Sequence, residues 1–180
     1  MENSDETLVA MAVTGDSDAF LRLLTRHYDA IFRTGFRVLG CRADAEDLAQ
    51  DICAALPRKL ASFKGHAKFS TWLYQIVING ARDMIRRKQS ARKKAQGWGD
   101  VEVLRRDEAT ETQAALDWLN VAMAALPQDL RETVALVLGQ EMTHAQAAAV
   151  LDLSEGTISW RMSEVKKALR GIAKQEEMLR

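Results

Sequence analysis

The sequence predicts an all-α protein made of two small helical domains joined by a flexible linker. Three observations carry that expectation. Apolar residues recur at helical spacing over most of the chain, and the alternation that a sheet would need is not evident. Only two prolines and ten glycines interrupt 180 residues rich in Ala, Leu, Arg and Glu, all good helix formers. The helical period fails from about Ala95 to Thr110, where Gly97, Gly99 and the charged run Arg105 to Glu111 read as a tether. The expected division is residues 1–94, a linker at 95–113, and residues 114–180.

In the first domain, Phe20, Leu23, Leu24, His27, Ile31, Phe32, Gly35, Val38 and Leu39 recur at helical spacing, and Gly40 ends that helix. Asp44 is a suitable N-cap for the next. Leu48, Ile52, Leu56 and Leu60 form its apolar stripe, and Pro57 falls inside the pattern, where a proline kinks or ends a helix. Ser62 to Lys68 reads as a loop, with Gly65 permitting the turn. A third helix runs from about Ser70 to Arg87, with Trp72, Leu73, Ile76, Val77 and Met84 facing inward. Three helices then bury one core.

In the second domain, Ala114 to Leu126 is helical, and Pro127 divides it from a helix spanning Asp129 to Gly139. Thr143 and Gln146 have the spacing of a capping box that starts a short Ala-rich helix. Leu151-Asp152-Leu153 is a turn, Ser154 caps the last helix, and Glu155 suits the positive end of its dipole. Two helices about a tight turn make a helix-turn-helix. At about 100° per residue, Ile158, Met162, Val165 and Leu169 fall on one face. Trp160 and Lys167 point the other way, flanked by Ser159, Ser163, Glu164 and Lys166, the side chains that can enter a major groove. Trp160 lies opposite the core, where contact with a thymine methyl or a sugar edge is favoured over a protein contact. Arg161 lies to the side, suited to a phosphate.

Composition excludes several classes. No apolar run approaches the roughly 18 residues of a membrane span. The acidic start Met1-Glu-Asn-Ser-Asp-Glu6 is unlike a signal peptide, so a cytoplasmic protein is expected. Cys41 and Cys53 form no CxxC pair and read as small buried apolar side chains. There is no nucleophile–base set, phosphate loop or metal-ligand spacing, so neither an enzyme nor a bound metal or cofactor is expected. Net charge is zero, yet residues 1–95 carry 16 Lys/Arg against 11 Asp/Glu, concentrated in Arg82, Arg86, Arg87, Lys88, Arg92, Lys93 and Lys94. A local field of that kind steers a polyanion whatever the total.

Two blocks decide between readings of the helix-turn-helix. Asp47, Gln50 and Asp51 share one helix face, from which the Leu48 stripe turns away. A solvated face is the ordinary reading of such a run. Phe63, Lys64, His66, Lys68, Phe69, Trp72 and Tyr74 combine cations with planar surfaces for unstacked bases, although Phe69, Trp72 and Tyr74 could equally serve the core, Trp72 in part above all.

The segment Asp44-Ala-Glu-Asp-Leu-Ala-Gln-Asp51 resembles region 2.2 of the extracytoplasmic-function (ECF) sigma factors of the sigma-70 family. Lys68-Phe-Ser-Thr-Trp72 resembles their region 2.3, and Leu126 through Leu169 their region 4. The resemblance implies a transcription initiation factor that binds core RNA polymerase through the largest-subunit coiled coil and the flap. It places Asp47, Gln50 and Asp51 at the coiled coil. It places Phe63, Lys64, His66, Lys68, Phe69, Trp72, Asn79, Arg82 and Arg86 at the promoter −10 element, with Asn79 near the pocket for a flipped base. It places Ser159, Trp160, Arg161, Ser163, Glu164, Lys166 and Lys167 at the −35 element. It also implies an anti-sigma partner and no membrane insertion. The alternative is a one-component helix-turn-helix transcriptional regulator whose N-terminal domain senses or dimerises.

Where primary sigma factors carry two adjacent Trp residues, this chain has Gln75 and Ile76. Each base–aromatic stack contributes about 1–3 kcal/mol. Strict promoter demands are therefore expected: transcription in vitro should fall steeply when the −10 element is degraded, and activity that stays high on such promoters contradicts the reading.

Overall fold

A computed structural model of the chain describes residues 3–95 and 122–177. Among these residues every regular element is an α-helix: α1 (Asp5–Val13), α2 (Ser17–Leu39), α3 (Arg42–Leu60), α4 (Phe69–Ala95), α5 (Gln128–Val137), α6 (His144–Leu151) and α7 (Glu155–Glu177), with residues 122–125 also helical. The expected linker, apart from Ala95, and most of the helix expected at Ala114 to Leu126 lie outside the described residues.

Local chemistry sets most boundaries. Asp16 caps α2 by accepting from the Ala19 amide at 3.0 Å, and Gly40 ends it at φ 70°, which costs glycine nothing. The capping box is present on α6: Thr143 Oγ1 accepts from the Gln146 amide, and the Gln146 side chain accepts from the Thr143 amide. Asp152 takes the left-handed conformation at the turn, and Ser154 Oγ accepts from the Thr157 amide at 3.1 Å. Three expectations need correction. α3 begins at Arg42 with Cys41 in the cap position, so Asp44 lies within the first turn, where its carboxylate pairs with Lys88 Nζ. Pro57 does not end α3, which continues to Leu60. α1 was not anticipated; Ser4 caps it, acidic Asp5 and Glu6 follow, and Leu8 and Val9 are buried. The signal was there, in a capping serine ahead of two acids and an apolar pair.

α2 is the central element and packs against α1, α3, α4 and α5. Leu48 of α3 is the knob that holds three helices together. A β-carbon on Gly35 of α2 would stand 3.1 Å from its Cδ2, and one on Gly80 of α4 2.7 Å from its Cδ1. Two glycines therefore let neighbouring backbones close on one leucine.

The two helical units are not packed separately. Ala135, Leu136, Ala147, Ala148, Val150, Leu151, Ile158 and Met162 belong to the same buried cluster as Leu23, Ile31 and Leu73. A smaller cluster of Met123, Leu126, Leu130, Val134 and Val165 serves the C-terminal unit alone. Gly139 sits on the seam. Its carbonyl accepts from Arg37 Nη1 at 3.3 Å, and burial, then the nearby Arg33, lower the Arg37 pKa. A β-carbon on Gly139 would collide with the Ala135 carbonyl oxygen and stand 2.8 Å from Arg37 Nη1. Gly139→Ala should therefore destabilise the protein by about 1–3 kcal/mol, read as a lowered thermal midpoint.

Candidate nucleic-acid interface

The Asp47, Gln50 and Asp51 side chains are all exposed on α3, while Leu48, Ala49 and Ile52 between them are buried. The helical period thus turns the acidic face outward. Beside it an open groove of about 290 Å³ runs between α3 and α4, lined by Asp51, Lys59, Asn79, Asp83 and Arg87 over a floor that includes Leu48 and Ile52. Asn79 stands in this groove with Asp51. The family resemblance assigned these two residues to different partners; the packing of α3 on α4 sets both along one groove.

The nine residues expected at the −10 element separate into three groups. The loop before α4 and its first turn form an aromatic cluster. The Phe63 and Trp72 rings are half-buried and 5.4 Å apart, and both rest on Phe69, at 5.7 and 5.6 Å. Lys64, His66 and Lys68 are exposed around them. Phe69 itself is fully buried, which corrects its assignment as a DNA contact: it is the floor of the cluster, and no face of it is free for a base. Tyr74 is also buried, so the core took these two aromatics more completely than Trp72. Asn79 forms the second group, in the groove, where Arg86 also pairs with Asp83.

Arg82 is the third group, and it points at the C-terminal unit. Its Nε donates to Glu132 Oε1 at 2.9 Å and its Nη2 to Oε2 at 2.6 Å. Glu132 is 2% exposed and accepts a further bond from Gln128 Nε2 at 2.9 Å. The side-chain bonds to Glu132 raise the Arg82 pKa against the opposing effect of burial. The fork engages Nε and Nη2 and turns the guanidinium toward Glu132. In this arrangement Arg82 ties the two units together, a role that its sequence assignment to the −10 element did not include. Sequence reasoning missed Glu132 because a glutamate in a helix reads as surface. Three further bonds between side chains of the first unit and the second cross the same seam. Tyr74 Oη donates to Gln140 Oε1 at 2.8 Å, and Gln140 Nε2 donates to Thr34 Oγ1 at 2.9 Å. Gln75 Nε2 donates to the Ala149 carbonyl at 2.9 Å, so this residue, at one of the positions of the missing tryptophans, holds the second unit instead.

The helix-turn-helix is α6 and α7. Ile158, Met162 and Val165 are buried and Trp160 is 58% exposed, as the projection required. Ser163, Lys166 and Lys167 are exposed, and Lys167 pairs with Glu164 at 2.6 Å. Ser159 is exposed but bonded to His144 Nδ1 at 2.9 Å, tying the start of α6 to the recognition helix. Arg161 departs from expectation. It turns inward to the Asp129 carbonyl at 3.3 Å and to its carboxylate at 3.5 Å, with 15% of its side chain exposed. It fastens α7 to α5 and is not available to a phosphate.

Comparison with known proteins follows this anatomy. The family model Sigma-70 region 2 matches residues 23–91, and Sigma-70, region 4 matches residues 122–171. The chain belongs to the sigma-70 family, in its ECF group. The ECF RNA polymerase sigma factor SigM of Mycobacterium tuberculosis is 32% identical over 172 residues, covering 93% of this chain and 84% of SigM. RNA polymerase sigma factor CnrH of Cupriavidus metallidurans is 30% identical over 182 residues, covering 95% of both chains. The solved structure of CnrH in complex with the cytosolic domain of CnrY superposes with a TM-score of 0.75 at 25% identity, over 96% of this chain and 99% of that one. A sigma factor of Bartonella quintana, RpoE solved with the anti-sigma factor NepR, shares the fold, with a TM-score of 0.75 at 24% identity over 86% of this chain and 96% of that one.

The sigma factor is a transcription initiation factor and not an enzyme. The one-component regulator is set aside, because region 2 occupies the place its sensing domain would need. Neither cysteine is bonded to another; both are half-buried, and burial raises the Cys53 pKa, which keeps that thiol a poor nucleophile. Among the described residues no group of side chains could hold a metal ion and no helix is long and apolar enough to cross a membrane.

The Arg82–Glu132 pair makes an asymmetric prediction. Arg82→Ala leaves a buried carboxylate without its cation and should cost about 1–3 kcal/mol, discounted because the guanidinium is partly wet. Glu132→Gln leaves a cation that can turn to water and should cost less. Thermal unfolding of the two variants measures the order, and an equal or reversed cost contradicts the geometry.

Proposed function

We propose that the sigma factor directs core RNA polymerase to promoters with three separate surfaces. The exposed α3 face of Asp47, Gln50 and Asp51 docks on the largest-subunit coiled coil. Phe63 and Trp72, ringed by Lys64, His66 and Lys68, take the unpaired bases of the −10 strand, with Asn79 and Arg86 further along α4. On α7, Trp160, Ser163, Lys166 and Lys167, with Ser159 and Glu164 beside them, read the −35 element, and the region 4 unit contacts the flap. Residues 1–94 and 114–180 are the two working domains and 95–113 their tether, and the protein acts in the cytoplasm. The observation that supports this most directly is the order of region 2 and region 4 along one chain, with an outward acidic face on the first and an outward Trp160 on the second.

The seam between the units supports a closed resting form. Separation of region 4 from region 2 would release Arg82 from Glu132, and polymerase binding supplies the occasion. An anti-sigma protein, as NepR is for RpoE, would hold the factor inactive by covering the polymerase-binding faces.

Capture of bacterial core RNA polymerase tests the docking face. The wild type should capture it, and the double variant Asp47→Arg/Gln50→Ala should lose at least about tenfold in affinity. Trp160→Ala should leave capture intact and weaken promoter binding by the holoenzyme about tenfold. Capture by both forms removes the α3 assignment, and failure of the folded wild type to capture polymerase removes the function.

A further inference from the structure

The aromatic cluster expected to receive the −10 strand rests on a residue that lies outside the region 2 match at 23–91. Asp5 opens α1, and its two carboxylate oxygens are used separately. Oδ1 accepts from Arg26 Nη1 at 2.6 Å, and Oδ2 accepts from His27 Nε2 at 2.8 Å. The backbone carbonyl of Asn3 accepts from both Nη atoms of Arg26 at 3.1 Å, so the chain just ahead of α1 is fastened to α2 as well.

His27 is the link. Its side chain is 12% exposed, and its ring stands edge-on to Phe69, with centroids 5.3 Å apart and planes at 65°. Phe69 is fully buried, and it is the one ring that touches His27, Phe63 and Trp72 together. Unbroken contact therefore runs from the Asp5 carboxylate through His27 and Phe69 to the two half-buried rings at the surface. An imidazole bonded at one nitrogen to a fixed carboxylate cannot swing about its own axis, and an edge-to-face contact depends on that angle. The Asp5 field also reaches the neighbouring buried phenol: burial first, and Asp5 second, raise the Tyr74 pKa, keeping it a donor to Gln140.

We propose that Asp5 is a positioning residue for the −10 surface: through His27 it fixes Phe69, the ring on which Phe63 and Trp72 are seated. The proposal rests on the reading that Phe63 and Trp72 hold unpaired bases. It gives α1 a role in promoter opening that region 2 alone does not supply. Asp5 touches no DNA; it sets the angle of the rings that do.

The test uses holoenzyme reconstituted from the full chain and bacterial core polymerase, on a promoter with 2-aminopurine in the −10 element. Open-complex lifetime under competitor challenge, 2-aminopurine fluorescence, core affinity and thermal midpoint are read for each variant. Asp5→Ala and His27→Ala should shorten the open-complex lifetime about three- to tenfold, the worth of one aromatic contact, with core affinity unchanged. Asp5→Asn keeps an oxygen for His27 Nε2 and should restore most of the lifetime. Arg26→Ala breaks the other half of the Asp5 contact and should lower the thermal midpoint without shortening the lifetime. His27→Ala leaves the Asp5–Arg26 pair in place, so it answers the question if Asp5→Ala does not fold. Trp72→Ala reports on the underlying reading. If it shortens the lifetime and neither Asp5→Ala nor His27→Ala does, the brace is overturned and the −10 surface stands. If Trp72→Ala has no effect, the −10 reading falls and the brace with it. Loss of core affinity in parallel with lifetime in Asp5→Ala and His27→Ala would reduce Asp5 to a folding role and overturn the proposal.

Discussion

A carboxylate with 2% of its surface in water must be matched, and Glu132 is matched by Arg82 across the boundary between the two helical units. Taking an ion out of water costs several kcal/mol unless a partner and further hydrogen bonds replace the solvent. Gln128 and the forked guanidinium supply both. Region 4 cannot leave without separating this pair and returning Glu132 to water, so the pair fixes how the two units meet. The rest of the seam is built for separation. Small alanines of α6 meet the region 2 core, and the polar bonds are few and made by side chains that water also satisfies: Tyr74, Gln75 and Gln140.

Within region 2 the controlling constraint is steric. Leu48 reaches both α2 and α4 only because Gly35 and Gly80 carry no β-carbon. That close approach makes α3 a rigid bar, and its period leaves Asp47, Gln50 and Asp51 on the side away from the core. The same closeness shapes the groove that Asp51 and Asn79 both line.

The recognition helix shows how satisfied side chains sort themselves from free ones. Arg161, on the flank, is claimed by Asp129, and Ser159 by His144. What remains pointing outward is Trp160 with Ser163, Lys166, Lys167 and Arg170, an indole set among cations, of which Lys167 pairs with Glu164.

The sequence by itself determined the longer helices, the Gly40 stop and the Thr143 capping box, the helix-turn-helix with its Ile158 face, and the outward acidic face of α3, because each follows from periodicity and local hydrogen bonding within one segment. The paired motifs were enough to show the family. α1 was legible at Ser4, Asp5 and Glu6 but went unread, since a short acidic terminus resembles a solvated tail. Only the tertiary structure decided which aromatics are core, which cations are free, and what lies between the units. Phe69 and Trp72 are three residues apart on one helix, and no local rule says which will be sealed. Arg82 and Arg161 read in the sequence as free surface cations, and only a carboxylate brought close from another part of the chain ties them to the protein. Long-range pairing depends on how separate surfaces meet, and one-dimensional spacing holds no record of that.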